Sequence, residues 1–406
     1  MPGAMLQAEE PLGPDEILFG QSAALEGPSA QLGEEMRNGI LAAFEEVNRN
    51  GGIEGRKLRL ISYDDGYQPA KAIANVNRLI EQDKVFALVG CVGTPTSKAI
   101  APIAEAENIP LIGPFTGAGF LRDPAAKNIV NIRASYAEET EAWIEHLTKD
   151  LGITRIAAFY QDDSFGRAGL EGVKAALEKR GLKLAGEGRY MRNTTAVKRA
   201  LLAIRSHNPE AVAMIGSYKA SAAFIKLARQ LGLDVIFMNI SFVGSKALSA
   251  ELEGDGRRVY VTQVVPFPDD MDIPLVQSYQ KALTAFNPAL ETGFVSLEGY
   301  LAGRFVAAVL EELGPNVTRE AFLEKVETTR KFDIDGLELL FGPGDNQGLN
   351  RVFLTELQGD GSFRAIDRLP KRQTPHRQTR HRPKSPQARL FGSTASFSSR
   401  SAFWRR

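Results

Sequence analysis

The chain has 406 residues, which is long enough for two domains with well-filled cores. Hydrophobic residues make up 43% and charged residues 24%, and the formal net charge is zero, as in soluble globular proteins. No stretch approaches the ~18 consecutive apolar residues of a membrane-spanning helix. A single cysteine, Cys91, excludes an internal disulfide.

The zero net charge hides an asymmetry between the body of the chain and its end. Residues 370–406 carry ten Lys or Arg and no Asp or Glu; removing these ten leaves 39 basic against 49 acidic residues, a net charge of −10 on residues 1–369. An acidic body argues against a nucleic-acid-binding surface on it. The composition of residues 370–406 predicts a disordered basic tail. Such a tail is equally compatible with a free arm, a polyanion-binding segment or sequence that is foreign to the natural chain. Residues 1–14 are rich in Pro and Gly and are also expected to be disordered.

Strands and helices alternate along the first third of the chain. The spacing predicts a doubly wound parallel sheet of the βαβαβαβ kind. The predicted strands are 17–20, 57–63, 85–89, 109–112 and 129–132, and the helices are 31–48, 69–82 and the alanine-rich stretch after Ser97 up to Glu107.

The same alternation then starts again. Helices are predicted over 136–150, 165–180, 195–206 and 220–231, and strands over 155–160, 182–190, 211–215, 235–238 and 259–265. Three helices follow, over 273–285, 296–313 and 318–327, and then strands joined by turns within 332–341 and 352–366. Two α/β lobes fit this pattern better than one sheet, because ten strands is near the common limit of an open sheet.

Motifs of nucleotide or hydrolytic chemistry are missing from the sequence. No G-x-G-x-x-G follows a predicted strand, and neither G-x-x-x-x-G-K-[ST] nor G-x-S-x-G occurs. His146 and His207 are too few for a metal site. The pairs Asp64-Asp65 and Asp162-Asp163 are interpreted as helix caps or turn residues rather than catalytic or metal-binding carboxylates. We therefore expect no enzyme activity, no metal and no cofactor.

Two loops of small polar residues, 90–97 and 113–119, follow neighbouring predicted strands. Both should open at the carboxyl edge of the sheet, where open α/β sheets bind ligands. Hydroxyl groups and free N–H groups at a helix start would seat a carboxylate, although ordinary βα connections explain the loops equally well. Aromatic residues that follow predicted strands could line the same cleft or merely pack helices onto the sheets, and we expect about half of them to touch ligand. They are Phe115, Phe165, Tyr218 and Phe242.

Three segments carry a resemblance to a known family. They are residues 21–33 with the following Asn48-x-x-Gly-Gly-Ile-x-Gly55, Ala101-Pro-Ile-Ala-Glu-Ala-Glu-Asn-Ile-Pro110, and Asp162-Asp-Ser-Phe-Gly166. With the order of elements, they make residues 15–369 similar to the periplasmic type I solute-binding proteins. Among these, the chain resembles the branched-chain amino-acid (leucine/isoleucine/valine) binding proteins of ABC transporters.

The resemblance implies two lobes joined by three crossovers, with a ligand cleft between them. It assigns 15–133 and 268–340 to lobe 1, and 134–267 and 341–369 to lobe 2. It also implies a monomer without catalytic activity that closes on its ligand and then docks on a membrane permease. Such proteins are periplasmic, but the start of this chain has no basic segment followed by an apolar core, so no secretion signal is visible.

For the ligand site, the resemblance implies a carboxylate seat at Thr94 and at Phe115-Thr116-Gly117. It implies that Phe165 and Tyr218 cover the ligand, and that an acidic residue near Ser241 or Phe242 pairs with its ammonium group. The complete predicted set is Ser22, Leu32, Thr94, Pro95, Phe115, Thr116, Gly117, Phe165, Tyr218, Ser241 and Phe242.

The sequence departs from that pattern at the ammonium end. Residues 239–245 contain no Asp or Glu, and Phe165 stands where a tyrosine is expected. Because a buried ammonium group without a partner is costly, we expect a small carboxylate or amide, aromatic ones included, rather than a plain branched-chain amino acid. The related transcription repressors are not favoured, since about 14 residues precede the first strand. The alternative function is the ligand-sensing domain of a membrane receptor, which would need a membrane span after residue 369.

Overall fold

The computed structural model describes Gly13 and residues 15–371. The predicted disordered segments therefore lie outside the described residues, except for Gly13, Pro370 and Lys371. Among the helices of the described part, none has the length and apolar character needed to cross a membrane.

Five parallel strands form the sheet of the first lobe, lobe 1. The elements are β1 Glu16–Ala23, α1 Ala30–Arg49, β2 Lys57–Asp64, α2 Pro69–Glu81, β3 Ala87–Val89, α3 Thr94–Ala106, β4 Leu111–Ile112 and β5 Ile129–Val130. The strand order is β2-β1-β3-β4-β5, and every neighbouring pair is parallel. This confirms the predicted doubly wound sheet.

A second α/β alternation follows. Its elements are α4 Tyr136–Leu151, β6 Ile156–Gln161, α5 Ser164–Glu178, β7 Gly186–Tyr190, α6 Lys198–Arg205, β8 Ala211–Ile215, α7 Tyr218–Gln230, β9 Ile236–Asn239, α8 Ser245–Leu252 and β10 Val259–Gln263. These five strands are parallel to one another.

The rest of the body consists of α9 Pro274–Phe286, α10 Phe294–Leu313, α11 Arg319–Thr329, β11 Lys331–Ile334, β12 Leu337–Leu340, β13 Phe353–Leu357 and β14 Phe363–Ile366. Strands β11 and β12 form an antiparallel hairpin. Strand β13 pairs antiparallel with β10, so the sheet of the second lobe, lobe 2, has the order β14-β13-β10-β9-β8-β6-β7.

Helix boundaries follow from local sequence. Ser135 and Glu138 form a reciprocal capping box at the start of α4, and Gly152 ends that helix with a left-handed φ of 67°. The Thr318 side chain accepts a hydrogen bond from Ala321 N and so caps the start of α11. Apolar residues of α1 that recur at helical spacing, among them Met36 and Ile40, are buried.

Two helices differ from the prediction. Helix α8 was not predicted, because its eight residues offer only two turns of apolar periodicity, with Ala247, Leu248 and Leu252 buried. Helix α3 begins at Thr94, inside the predicted loop 90–97, since Gly93 adopts a φ of 107° and Pro95 lies in the first turn.

The chain crosses between the two lobes three times: after β5, after β10, where α9 and α10 return to pack against α1, and after β12. The first and third crossovers run side by side. Asn131 N donates a hydrogen bond to Asn346 O over 2.7 Å, and Gly348 N donates to Asn131 O over 2.8 Å. The segments that join the lobes are therefore tied together by backbone bonds.

Candidate functional site

The loops that follow the strands of lobe 1 face the loops that follow the strands of lobe 2. We call the region where these two sets of loops meet the cleft. The Asn193 side-chain amide, after β7, donates to Gly66 O, after β2, over 3.0 Å. Gln161 Nε2, at the end of β6, lies 3.3 Å from the Tyr67 hydroxyl. These bonds join lobe 1 to lobe 2, so the lobes are in contact across the cleft.

Three hydroxyl groups meet at the centre of the cleft, and we call them the hydroxyl cluster. Thr94 Oγ1 lies 2.7 Å from Thr116 Oγ1 and 3.3 Å from the Tyr136 hydroxyl. Both threonines are fully buried, and Tyr136 is 1% exposed. Thr94 is also the first residue of α3, where the positive end of the helix dipole and free N–H groups favour an anion.

The loop after β4 fits tightly against the start of α4. Gly117 O accepts a hydrogen bond from Tyr136 N over 2.7 Å. A Cβ atom at position 117 would come within 2.5 Å of Tyr136 Cδ1, so only glycine allows this approach. Thr116 Oγ1 also accepts from Ala118 N over 3.2 Å. This packing fixes the Thr116 hydroxyl next to Tyr136.

Aromatic rings from both lobes surround the hydroxyl cluster. Phe242 is their centre, with ring centroids 5.3 Å from Phe115, 4.7 Å from Phe165 and 5.9 Å from Tyr67. Phe165 lies 5.6 Å from Tyr136. All of these rings are nearly or fully buried. The cleft is therefore a buried aromatic site with a small polar centre, the usual character of a small-molecule site.

A buried ionic group lies beside the aromatic rings, and we call it the Arg133 cluster: Arg133, Glu139 and Glu298. The guanidinium carbon of Arg133 is 5.1 Å from the Phe115 ring centroid and 5.9 Å from that of Tyr136. Arg133 Nη2 lies 3.2 Å from Glu139 Oε1, and Nη1 lies 3.6 Å from Glu298 Oε1. The three side chains are at most 5% exposed.

The carboxylate of Glu139 has its hydrogen-bonding capacity filled. Oε1 accepts from Arg133 Nη2 and from the Ser241 hydroxyl, and Oε2 accepts from Ser241 N over 2.8 Å and Thr262 Oγ1 over 2.6 Å. Arg133 Nη2 also donates to Ser241 Oγ. Ser241, the predicted neighbour of an ammonium partner, thus lies against a carboxylate that is already neutralised by arginine.

The other half of the Arg133 cluster is unsatisfied. Arg133 Nε and Nη1 are buried without a hydrogen-bond partner. Within the described residues, the Glu298 carboxylate makes no hydrogen bond, and its nearest charged neighbour is Arg133. Burial raises the pKa of Glu298 to about 7, against the opposing effect of Arg133.

The acidic pairs act as caps and turn residues, as predicted. Asp163 Oδ1 accepts from Phe165 N over 3.0 Å at the start of α5, and Asp65 Oδ1 accepts from Tyr67 N over 2.8 Å. Ser22 Oγ donates to Asp65 Oδ2 over 2.8 Å, and burial raises the pKa of Asp65 to about 6. Ser22 therefore supports the loop that carries Tyr67.

Three further predicted residues are not members of the hydroxyl cluster or of the rings around it. Leu32, on α1, is buried against Gly244 of lobe 2. Tyr218 begins α7 and is 2% exposed, and burial raises the pKa of its hydroxyl. Pro95 is buried in the first turn of α3. Leu32 thus lies at a contact between the lobes.

The structure brings together seven predicted residues around the cleft: Thr94, Phe115, Thr116, Gly117, Phe165, Ser241 and Phe242. Sequence reasoning missed Tyr67, Tyr136 and the Arg133 cluster. Two signals were available. Arg133 is a charged residue directly between the apolar Ile132 and Ala134, and Glu139 falls three residues after Tyr136 and four before Trp143, on the buried face of α4.

An open cavity of about 530 Å³ lies beside the closed site, between Pro28 of lobe 1 and loops of lobe 2. Its remaining lining is Asn193, Thr194, Thr195, Ala196, Ser217 and Lys219. We place the candidate site at the hydroxyl cluster rather than in this cavity, because the converging buried polar groups lie there. No cluster of three or more metal-ligating side chains occurs among residues 15–371 or at Gly13.

Comparison with known proteins gives consistent matches. The sequence profile of the family described as periplasmic binding protein matches residues 16–362. A crystal structure described as a possible leucine/isoleucine/valine-binding protein from Rhodopirellula baltica is 38% identical, with a TM-score of 0.84 over 88% of this chain and 98% of that chain. The leucine-specific-binding protein of Salmonella typhimurium is 23% identical over 333 residues, 81% of this chain and 86% of that protein. An amino acid binding protein of Pseudomonas aeruginosa is 23% identical over 239 residues, and the match spans 64% of its length.

Proposed function

Because the chain belongs to the periplasmic binding protein family, we propose that it is a non-catalytic solute-binding protein whose two lobes close on a small carboxylate, amino acid or amide. The closed form then docks on the membrane permease of an ABC transporter. The protein acts as a monomer in the periplasm. The likeness to a possible leucine/isoleucine/valine-binding protein supports this class of ligand.

The observation that carries the proposal is the hydroxyl cluster at the meeting point of the two lobes. Thr94 and Thr116 belong to lobe 1, and Tyr136 begins the first helix of lobe 2. Hydroxyl groups that converge on one point beside a helix N-terminus can donate to a ligand carboxylate. A ligand held there would touch both lobes at once.

Closure follows from this geometry. The Phe242 ring of lobe 2 packs against Phe115 and Tyr67 of lobe 1, and this contact requires the lobes to be together. A ligand that contacts both sets of rings binds the closed form more tightly than the open form, and it shifts the population by that difference in affinity. The three crossovers are the hinge.

The test is a thermal-shift screen of the full chain against amino acids, carboxylic acids, small amides and nucleotides. A ligand present at 100 times its Kd should stabilise the fold by about 2.7 kcal/mol, a rise in Tm of a few degrees. A shift with a carboxylate, amino acid or amide supports the proposal. A shift with nucleotides alone would contradict it and favour a nucleotide-dependent activity.

A further inference from the structure

The Arg133 guanidinium is the polar group in the cleft that the proposed function leaves unused. Arg133 is 1% exposed, and its Nε and Nη1 atoms have no hydrogen-bond partner. It lies against the rings of Phe115 and Tyr136 and donates to Ser241. All three neighbours line the candidate ligand site, so the unpartnered donors are within the reach of a ligand.

The chemistry missing from the cluster is a hydrogen-bond acceptor. An arginine side chain stays charged in proteins and carries donors only, so its free donors can be satisfied only by acceptor oxygens. Glu139 cannot supply more, because both of its oxygens are already engaged. Glu298 remains 3.6 Å away without a hydrogen bond. Two buried donors without acceptors are costly, and a ligand that brings acceptors removes that cost.

Glu298 does not create the opposite requirement. A carboxyl group can become neutral by taking up a proton, which removes the cost of a buried unpaired charge. Arg122, Arg133 and Glu139 are the charged groups that act on it. Arg133 has no such route. The asymmetry between the two side chains favours a ligand with acceptor atoms over one with an ammonium group.

We propose that Arg133 determines ligand specificity by donating from Nε and Nη1 to acceptor oxygens of the ligand, so that the preferred ligand is an oxo acid or dicarboxylic acid without an ammonium group. This inference rests on the proposed solute-binding function and specifies its ligand. At Ser241, where an acidic partner for a ligand ammonium group was expected, the acidic residue Glu139 is already paired with the guanidinium. One end of the ligand binds the hydroxyl cluster, and the second acceptor group binds Arg133.

Tyr136 lies beside both anchors. Its hydroxyl lies 3.3 Å from Thr94 Oγ1, while its ring centroid lies 5.9 Å from the guanidinium carbon of Arg133. Both anchors therefore border the same aromatic side chain. A ligand with two polar groups a few bonds apart can reach both of them, and its apolar part can contact Phe165 and Phe242.

The experiment is calorimetry of the full chain with matched compounds that differ only at the ammonium position. The pairs are leucine with 4-methyl-2-oxopentanoate, phenylalanine with phenylpyruvate, glutamate with 2-oxoglutarate, and aspartate with succinate. In the best-binding pair, the acid should bind at least about tenfold more tightly than the amino acid, because only the acid satisfies Arg133 without adding a positive charge beside it.

Variants separate ligand contact from a structural role of Arg133. Arg133→Lys keeps a cation beside Glu139 but loses the planar fork, and should weaken acid binding about tenfold to a hundredfold and reduce the preference for the acid. The matched control is Arg304→Gln. Arg304 is a partly buried arginine of α10 that is paired with Glu46 and Asp335, outside the cleft. The Arg304→Gln variant should keep the wild-type preference for the acid over the amino acid.

Each outcome decides the matter. An acid preferred over its amino acid in the wild type and in Arg304→Gln, but less so in Arg133→Lys, supports the proposal. An amino acid that binds equally or more tightly overturns it and leaves the solute-binding function in place. A panel in which no acid binds also overturns it, and the wild-type comparison stands even if Arg133→Lys fails to fold.

Discussion

The hydroxyl oxygens of Thr94 and Thr116 lie 2.7 Å apart, although the two residues follow different strands. The strands are the neighbours β3 and β4, so their carboxyl ends deliver both side chains to one point. With both side chains fully buried, each hydroxyl has the other as a partner. A ligand carboxylate would replace this mutual bond with two bonds to a charged acceptor, which are stronger.

Removing one of these hydroxyls tests the anchor. Thr116→Ala should weaken ligand binding by about 1 to 3 kcal/mol, measured by calorimetry, because one hydrogen bond to a charged ligand is lost. The matched control is Thr328→Ala on α11, where the exposed hydroxyl bonds only to backbone oxygens of its own helix. Equal affinity of Thr116→Ala and wild type would place the anchor elsewhere.

The aromatic contacts of Phe165 should matter for binding as well as for stability. Phe165→Leu loses the ring contacts to Tyr136 and Phe242, each worth about 0.5 to 1.5 kcal/mol. Phe224→Leu makes a comparable change in the core of lobe 2, where the ring packs 4.3 Å from Phe159. Both variants should lower the Tm, but only Phe165→Leu should also raise the Kd. A parallel rise of Kd in both would mean that the effect is one of general destabilisation.

Closure can be hindered at the contact between Leu32 and Gly244. A Cβ atom at position 244 would collide with the Leu32 side chain of the other lobe. Gly244→Ala should therefore weaken ligand binding by about 1 kcal/mol through overpacking of the closed form. Gly232→Ala is the matched control, since φ is 74° there and 75° at Gly244, but no atom lies near the added methyl group. If both variants bind ligand equally well, this contact does not limit closure.

Glu298 should make stability depend on pH. Its pKa in the folded protein is about 7, against 4.5 as the ordinary value, so the folded state binds more protons between these values. The free energy of unfolding should then fall as pH rises from about 4.5 to 7, by at most roughly 3 kcal/mol from this group. The amide of Glu298→Gln cannot titrate. Measured by urea unfolding, the free energy of unfolding of this variant should therefore fall less over this pH range than that of the wild type.

The control for this prediction is Glu311→Gln, an exposed position of the same helix. Desolvation also raises the pKa of the half-buried Glu35 to about 7 and that of the buried Asp65 to about 6, so the wild-type slope contains their contributions too. The difference between the wild type and Glu298→Gln isolates Glu298. If Glu298→Gln gained more stability over the wild type at pH 5 than at pH 8, the sign of this prediction would be wrong.

Most of the fold could be predicted because its elements are long and periodic. The strands of lobe 1 and the large helices α1 and α10 carry apolar patterns that local sequence specifies. Helix α8 escaped because it is short and follows Ser and Gly residues typical of loops. Only tertiary pairing decides that β13 joins β10, on the far side of three helices and a hairpin.

Part of the candidate site could be predicted from the sequence, and part of it could not. Thr94 and Thr116 could be predicted, since loops after parallel strands converge at one edge. Tyr136 begins a helix after a crossover and follows no strand directly, so that rule did not include it. The approach of Glu298 to Arg133 depends on how α10 packs near the first crossover, and no local pattern encodes it.

The most direct test of the account is the distance between the lobes with and without ligand. Cys91 is buried, so fluorophores can be attached at Glu54→Cys in lobe 1 and Lys183→Cys in lobe 2, both exposed positions. Addition of the tightest-binding compound to the full chain should shift the energy-transfer efficiency to the value that is characteristic of the closed state. The same concentration should have less effect on a Thr116→Ala background. Saturating binding with unchanged efficiency would contradict a cleft that closes on its ligand.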